Sequence, residues 1–268
     1  MYKIIVFDLD DTLSESKQKI DEEMSLLLSE LTKKYKVAII TWWEFNQISK
    51  QVLDNLDLKN TNFENLYIYP TCWAKMFQYI DWEYEIIYSE DLTEDEINNI
   101  TSVLEWAIDK LWLNKEESWW TNIDNRWTQI TYSPLWNECP LEIKFKWDPD
   151  WLKRQEIRNY IIDDLKDFHV WIAWRSSMDI TKKWIDKAYW IKKIISEIWL
   201  EKKEILFMWD MLMPGWNDYP VKEFWVDFNE VIDPEDTKLL IRALLNWEEY
   251  VCMKRLIDKN IVDVKQFY

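Results

Sequence analysis

One glycine, Gly215, and 21 tryptophans in a 268-residue chain invert the ordinary globular ratio, in which glycine makes up about 7 percent of residues. A chain with a single glycine has almost no residue that enters the left-handed backbone region freely, so tight turns, helix C-caps and close backbone approach to a ligand all become difficult. Several tryptophans stand where that chemistry is wanted. Trp42-Trp43 directly follow an apolar run of strand length, Trp199 ends a helix-like segment, Trp216 follows Pro214-Gly215, and Trp82 lies in the hairpin-like IDWEY. An indole serves none of those roles well. The pattern reads as a gene whose lineage decodes UGA as glycine and whose conceptual translation writes tryptophan instead. Trp147 in KFKWDPD and one of Trp119 and Trp120 read as genuine tryptophan, and most of the others read as glycine.

The length accommodates one large domain or two smaller ones, and 48% hydrophobic with 31% charged residues describes a globular chain. No apolar run approaches the roughly eighteen residues of a membrane span, and the N-terminus passes from Lys3 straight into an apolar run that ends in acid, so a cytoplasmic protein is expected. A formal net charge of -17 repels nucleic-acid phosphates and anionic lipid, which removes both as expected partners. Cys72, Cys139 and Cys252 form no CxxC pair, as suits thiols in a reducing compartment. With a single histidine, His169, expected in a strand with a structural role, acid/base chemistry falls mainly on carboxylates.

Along the chain, KIIVFD (3–8) reads as a buried strand delivering carboxylates to a crevice. A helix over 17–35, a strand KVAIIT, a helix over 44–56 and a strand NLYIY follow, an α/β alternation that argues a parallel sheet with crossover helices. From Tyr84 the pattern changes to EIIYSE, a long helix near Thr93 with Glu96 in capping-box register, the segments TQITYSP and LEIKFKW, a helix over 152–165, and HVWIAW through SMDITK. This reads as an inserted α+β domain. After Lys183 the α/β pattern returns with a helix IDKAYWIKKIISEI, a strand EILFMWD and a short strand near EFWVDF. The expected division is a core of 1–83 and 184–268 around an insertion of 84–183, with a tail over 240–268 that carries no assigned role.

FDLDDT places Asp8 and Asp10 two apart at a strand end, where two carboxylates can hold a hard cation and divide the work of attack and proton transfer. AIIT followed by Trp42-Trp43, read as AIITGG, offers the Thr41 hydroxyl and glycine amides, among them that of Trp42, to phosphate oxygens. Lys187 sits at the start of a helix, where its ammonium can hold an anionic phosphate beside the nucleophile. FMWDMLMPGWND, read FMGDMLMPGGND, ends a strand on Asp210 and adds Asn217 and Asp218 on the following loop as oxygen ligands.

In this order DxDxT, a strand-end threonine, a lysine and GDxxxPGGND resemble the four motifs of haloacid dehalogenase phosphotransferases. PGGND, ITYSPLG and the PEDT of Pro234 to Thr237 resemble, more narrowly, the phosphomannomutase-like branch of subfamily IIB. The resemblance spans about residues 2–240 and implies a Rossmann-like core, a parallel sheet with helices on both faces, carrying an inserted α+β type IIB cap. It implies that Asp8 is the nucleophile, Asp10 the general acid/base, and Thr41 and Lys187 phosphate ligands. It assigns Mg2+ to Asp8, the Asp10 carbonyl and Asp210, and sugar-phosphate contacts in the cap to Arg126, Ser177 and Asp179. The implied activity is magnesium-dependent hydrolysis of a sugar phosphate or similar small phosphomonoester through an aspartyl-phosphate. A phosphomannomutase interconverting mannose 6-phosphate and mannose 1-phosphate is the alternative, and a non-catalytic phosphosugar-binding protein a distant third. The resemblance leaves room for a homodimer. Four positions depart from the pattern. Asp11 replaces a small residue, Asn137 and Lys17 stand at arginine positions, and a further cap arginine has no counterpart clearer than Lys144.

Overall fold

The computed structural model describes residues 1–71, 74–111, 123–135, 139–173, 176–185, 187–209 and 227–247, apart from the side chains of 141, 145, 187, 188, 190 and 191. The chain divides into two compact units, residues 1–87 with 191–268 and residues 88–190. The cuts fall a few residues beyond the expected 83/84 and 183/184. On the first side this is because the strand Glu83–Ser89 is hydrogen-bonded into the sheet of the first unit.

In the first unit, Ile4, Ile5, Val6 and Phe7 of β1 (Ile4–Asp8) are all fully buried. A strand covered on both faces belongs in the middle of a parallel sheet. β2 (Lys36–Ile40) and β10 (Ile205–Trp209) flank β1 in parallel, followed outward by β3 (Leu66–Tyr69) and β11 (Asp227–Glu230). The hairpin of β4 (Lys75–Ile80) and β5 (Glu83–Ser89) closes one side, β4 running antiparallel to β3, and the order is β11-β10-β1-β2-β3-β4-β5. Strand order reverses at β1, since the chain moves to β2 on one side and returns to β10 on the other. Beyond the carboxyl ends of strands at such a point lies the ligand crevice of open α/β sheets.

Helix α1 (Glu22–Lys34) starts later than the expected residue 17. Lys17 has a φ of 64°, incompatible with a helix, whereas Asp21 caps the N-terminus by accepting from the Met24 amide at 2.8 Å. Glu22 and Glu23 in its first turn and Lys33 and Lys34 in its last complement the helix dipole. Helix α2 (Phe45–Gln51) is shorter than the expected 44–56 and hands over to a 3-10 turn at Leu53–Asn55. Near the end of the described chain, α7 (Pro234–Leu245) carries Pro234 in its first turn and Asp233 as N-cap, and packs on α1 through Leu240, Ile241 and Leu244.

The second unit has a four-stranded antiparallel sheet in the order β6 (Ile123–Asn125), β7 (Gln129–Tyr132), β9 (Met178–Lys182), β8 (Phe168–Ile172). Alternation divides its faces. Ile130, Tyr132, Met178 and Ile180 form one apolar core with Ile100, Leu104 and Ala107 of α3 (Glu94–Lys110) and Ile157 and Ile161 of α5 (Leu152–Ile161). Gln129, Thr131, Asp179 and Thr181 share the other face. Thr93 and Glu96 close the expected capping box on α3, and LEIKFKW forms the short helix α4 (Leu141–Trp147). His169 lies in β8, its ring 4.8 Å from that of Trp171.

Candidate active site

Three chain segments leave the core sheet at one edge. The register sets Asp8, the last residue of β1, opposite Ile40, so Thr41 follows immediately on the neighbouring strand, and Phe7 pairs with Met208 one step from the end of β10. Asp8 is half-buried and Thr41 is buried, its amide held by the Tyr69 carbonyl at 3.1 Å. The parallel sheet therefore brings Asp8 and Thr41 together. Asp210 follows β10 directly but, like Asn217 and Asp218, lies outside the described residues. Lys187 opens helix α6 (Lys187–Ile198), and its side chain is likewise outside them.

After Asp8 the chain turns sharply. Leu13 and Ser14 both donate their amides to the Leu9 carbonyl, and Asp11 donates to the Ser14 carbonyl at 2.7 Å. Asp11 sits at a φ of 58°, the region that glycine enters freely and aspartate tolerates better than most residues. Its carboxylate accepts from the Ser16 amide at 3.3 Å. The departure from a small residue is accordingly absorbed by the turn, since the extra carboxylate is tied to the backbone of its own loop.

Asp10 is half-buried. Its Oδ1 accepts from the Lys17 amide at 3.2 Å and its Oδ2 from the Trp43 indole Nε1 at 2.6 Å. The Lys17 ammonium lies 5.1 Å from the centre of the same indole. Burial raises the Asp10 carboxyl above its ordinary value, and the charge of Asp11 acts in the same direction. The bonds from Trp43 and Lys17 pull the other way without cancelling the rise. A carboxyl so placed keeps its proton to higher pH than an exposed one, as a proton donor to a leaving group requires. Trp43 also donates its amide to Thr41 Oγ1 at 3.3 Å and accepts from the Thr71 amide, so its indole is fixed across this strand end. Trp42 stands beside it, half-buried.

The donor set at this edge suits a hard divalent cation. The Asp8 carboxylate and the backbone of Asp10 supply oxygen, and no sulfur or imidazole lies among them. Among the described residues no three His, Cys, Asp or Glu side chains converge, and the third carboxylate of the expected set, Asp210, falls outside them. Thr12 Oγ1 and Ser14 Oγ are buried in the turn without a hydrogen-bond partner among the described residues.

In the second unit, Asp179 is buried and its Oδ1 accepts from Thr131 Oγ1 at 2.6 Å and from Gln129 Nε2 at 2.8 Å. Burial raises its carboxyl above the ordinary value, against the opposing pull of Arg126, Thr131 and Gln129. Arg126, in the β6–β7 loop, donates Nε to Asp124 at 3.0 Å. Ser177 precedes β9, and its carbonyl accepts from the Ala173 amide. Arg126 and Asp179 are thus brought into electrostatic reach, while Gln129 and Thr131, which hold the Asp179 carboxylate, are partners that sequence reasoning missed. Their signal lay in the alternation of TQITY, which puts 129 and 131 on one face. The unit's other described arginines serve its architecture. Arg154 is buried in an ion pair with Asp148 at 2.7 Å and bonds the Ala173 carbonyl, and Arg158 bonds the Val170 carbonyl. Lys144 is buried in α4, and Asn137 lies outside the described residues.

A strand ending in aspartate at the switch point of a parallel sheet, split in sequence by an α+β insertion, defines a class. The chain belongs to the haloacid dehalogenase-like hydrolase family, whose sequence signature matches residues 5–213. It is an enzyme of that superfamily, on the IIB-like branch. It is 25% identical over 235 residues to a phosphomannomutase of Encephalitozoon cuniculi, covering 81% of this chain and 83% of that one. To phosphomannomutase 2 of Dictyostelium discoideum it is 26% identical over 228 residues, covering 81% and 86%. Among solved structures, the fold is similar to that of IMP-bound Plasmodium falciparum IMP-nucleotidase at a TM-score of 0.67 and 16% identity, covering 91% of this chain and 68% of that one.

Proposed function

We propose that the protein is a magnesium-dependent phosphatase that hydrolyses a sugar phosphate through an aspartyl-phosphate on Asp8. The observation that carries this reading is the register of β1 with β2 and β10, which sets Asp8 beside Thr41 at the switch point of the sheet, with Asp10 on the following turn. An Asp8 carboxylate oxygen attacks phosphorus, the bond from phosphorus to the sugar oxygen breaks, and Asp10 gives its proton to that oxygen. Asp10, now a carboxylate, takes a proton from the water that attacks the same phosphorus. The bond to Asp8 then breaks, releasing inorganic phosphate and returning both residues to their starting states. Thr41, the amide of Trp42 and Lys187 are assigned to the phosphoryl oxygens. Asp8, the Asp10 carbonyl and Asp210 are assigned to magnesium, with Asn217 and Asp218 supporting the loop. Magnesium, when bound, would neutralise charge gathering on the phosphoryl group.

Arg126, Ser177 and Asp179 are assigned to the sugar. Among the described cap residues, Arg154 and Arg158 are spent on the protein's own backbone and carboxylates, and Arg126 faces Asp124 and Asp179. Asn137, where the mutase pattern has an arginine, favours a monophosphate over a bisphosphate, and with it hydrolysis over mutase chemistry. The names of the curated relatives favour the second reading, a phosphomannomutase that hands the phosphoryl group back to a hexose phosphate. One experiment separates the two, using the chain with glycine restored and magnesium present. Phosphate release from mannose 6-phosphate supports the phosphatase. Interconversion with mannose 1-phosphate that depends on a hexose bisphosphate primer supports the mutase.

A further inference from the structure

Four tryptophans occupy backbone conformations that tryptophan disfavours. Among the described residues, the non-glycine positions with positive φ are Asp11, Lys17, Thr71, Asp81, Trp82, Trp127, Trp151 and Trp199. Tryptophan fills half of this set although it is 21 of 268 residues, so chance placement does not account for it.

Each of the four lies where local geometry asks for glycine. β4 and β5 are joined by Asp81 and Trp82 alone, at φ 48° and 78°. A two-residue hairpin loop with both φ positive is a type I′ turn, and Asp-Gly is among its preferred pairs. Trp199, at φ 56°, follows the last residue of α6, and the next amide, Leu200, reaches back to the Ile195 carbonyl at 3.1 Å. That bond marks a Schellman cap, whose left-handed residue is usually glycine. Asp148-Pro149-Asp150-Trp151 closes on the Asp148 carbonyl at 3.4 Å, and a type I turn favours Asp first, Pro second and Gly fourth. Trp127, at φ 69°, lies in the short β6–β7 loop, with its amide on Asn125 Oδ1 at 2.8 Å. Trp82 and Trp199 are 89% and 90% exposed, so burial returns almost nothing for the backbone strain at either position.

We infer that positions 82, 127, 151 and 199 are glycine in the protein made by its own cell, and that the same replacement at position 43 uncovers Asp10. One codon reassignment, UGA read as glycine, accounts for all five. The first half stands on backbone geometry alone, whereas the second rests on the reading of Asp10 as the acid/base. With glycine at 43 the indole that occupies Oδ2 is gone, and that oxygen can serve a leaving group instead. With tryptophan at 43 the chain holds its own acid/base carboxylate closed under an indole and the Lys17 ammonium.

Three measurements test this. The gene should carry UGA at these five positions, and peptides of the natural protein should weigh as glycine. UGG codons, or tryptophan in those peptides, overturn the inference. In the tryptophan-bearing chain, Trp82→Gly and Trp199→Gly should each raise the thermal midpoint by about 2 to 4 °C, whereas Trp147→Gly should lower it, because Trp147 is buried in the apolar core of the second unit. No rise at 82 and 199 contradicts the strain argument. Finally, Trp43→Gly should raise magnesium-dependent phosphate release from p-nitrophenyl phosphate by about tenfold or more. An unchanged rate in a variant whose turnover still requires Asp8 overturns the gating of Asp10. Turnover that does not require Asp8 overturns the catalytic reading instead and leaves the glycine assignments standing.

Discussion

The Thr131 hydroxyl meets the Asp179 carboxylate at 2.6 Å across β7 and β9, and Gln129 Nε2 bridges both groups, at 2.9 Å to the hydroxyl and 2.8 Å to the carboxylate. Both donors hold the same oxygen, Oδ1, so they fix the orientation of a buried carboxylate that we assign to the sugar. Thr131→Val keeps the shape and removes the donor, at a cost of about 1.5 to 3 kcal/mol for a bond to a charged group. The expected outcome is a KM raised roughly tenfold with kcat within about threefold, read from steady-state kinetics. A kcat loss at constant KM would instead place Thr131 in the chemical step.

Arg154 and Asp148 form a fully buried ion pair, their side chains 1% and 0% exposed. Asp148 also accepts the amides of Lys153 and Arg154, and the guanidinium bonds the Ala173 carbonyl. Replacing Arg154 by Met strands a buried carboxylate and should cost about 3 to 5 kcal/mol in chemical denaturation. Asp148→Asn with Arg154→Met should recover part of that loss.

These interactions mark how far the sequence could be read. The strand of β1 and its terminal Asp8 were legible because five consecutive apolar or acidic residues encode both burial and position. The α/β alternation followed from local periodicity, and so did the capping box at Thr93. Gln129 and Thr131 are not legible as partners of Asp179, because that contact depends on a strand register set by pairing some fifty residues away. The start of α1 was misplaced because apolar spacing extends back to Ile20, whereas the left-handed Lys17 and the cap at Asp21 decide the boundary.

A second non-local contact gives a pH prediction. The Lys238 side chain, 3% exposed, reaches Asp21 and Glu235 at 2.5 Å each, tying the N-termini of α1 and α7 together. Partial burial pushes the Asp21 carboxyl up, but the bonds from Lys238 and the Met24 amide outweigh it, and the net shift is downward. A carboxyl depressed in the folded state contributes stability above its unfolded value, near 3.9, and loses it as pH falls through the folded one. The thermal midpoint should therefore fall as pH drops below about 4. Asp21→Asn should flatten that acid limb, and an acid limb of unchanged steepness would remove Asp21 from the account. Because Asp21 is largely exposed, the change will be small.

The central claim is that Asp8 carries the phosphoryl group. The direct measurement is mass spectrometry of the glycine-restored enzyme after acid quench during turnover of mannose 6-phosphate with magnesium, run beside Asp8→Asn and Asp10→Asn. A phosphoryl adduct on the peptide containing Asp8, and loss of at least about a thousandfold in kcat for Asp8→Asn, is the expected result. Turnover by Asp8→Asn at the parent rate, with no adduct on that peptide in the parent, would contradict it.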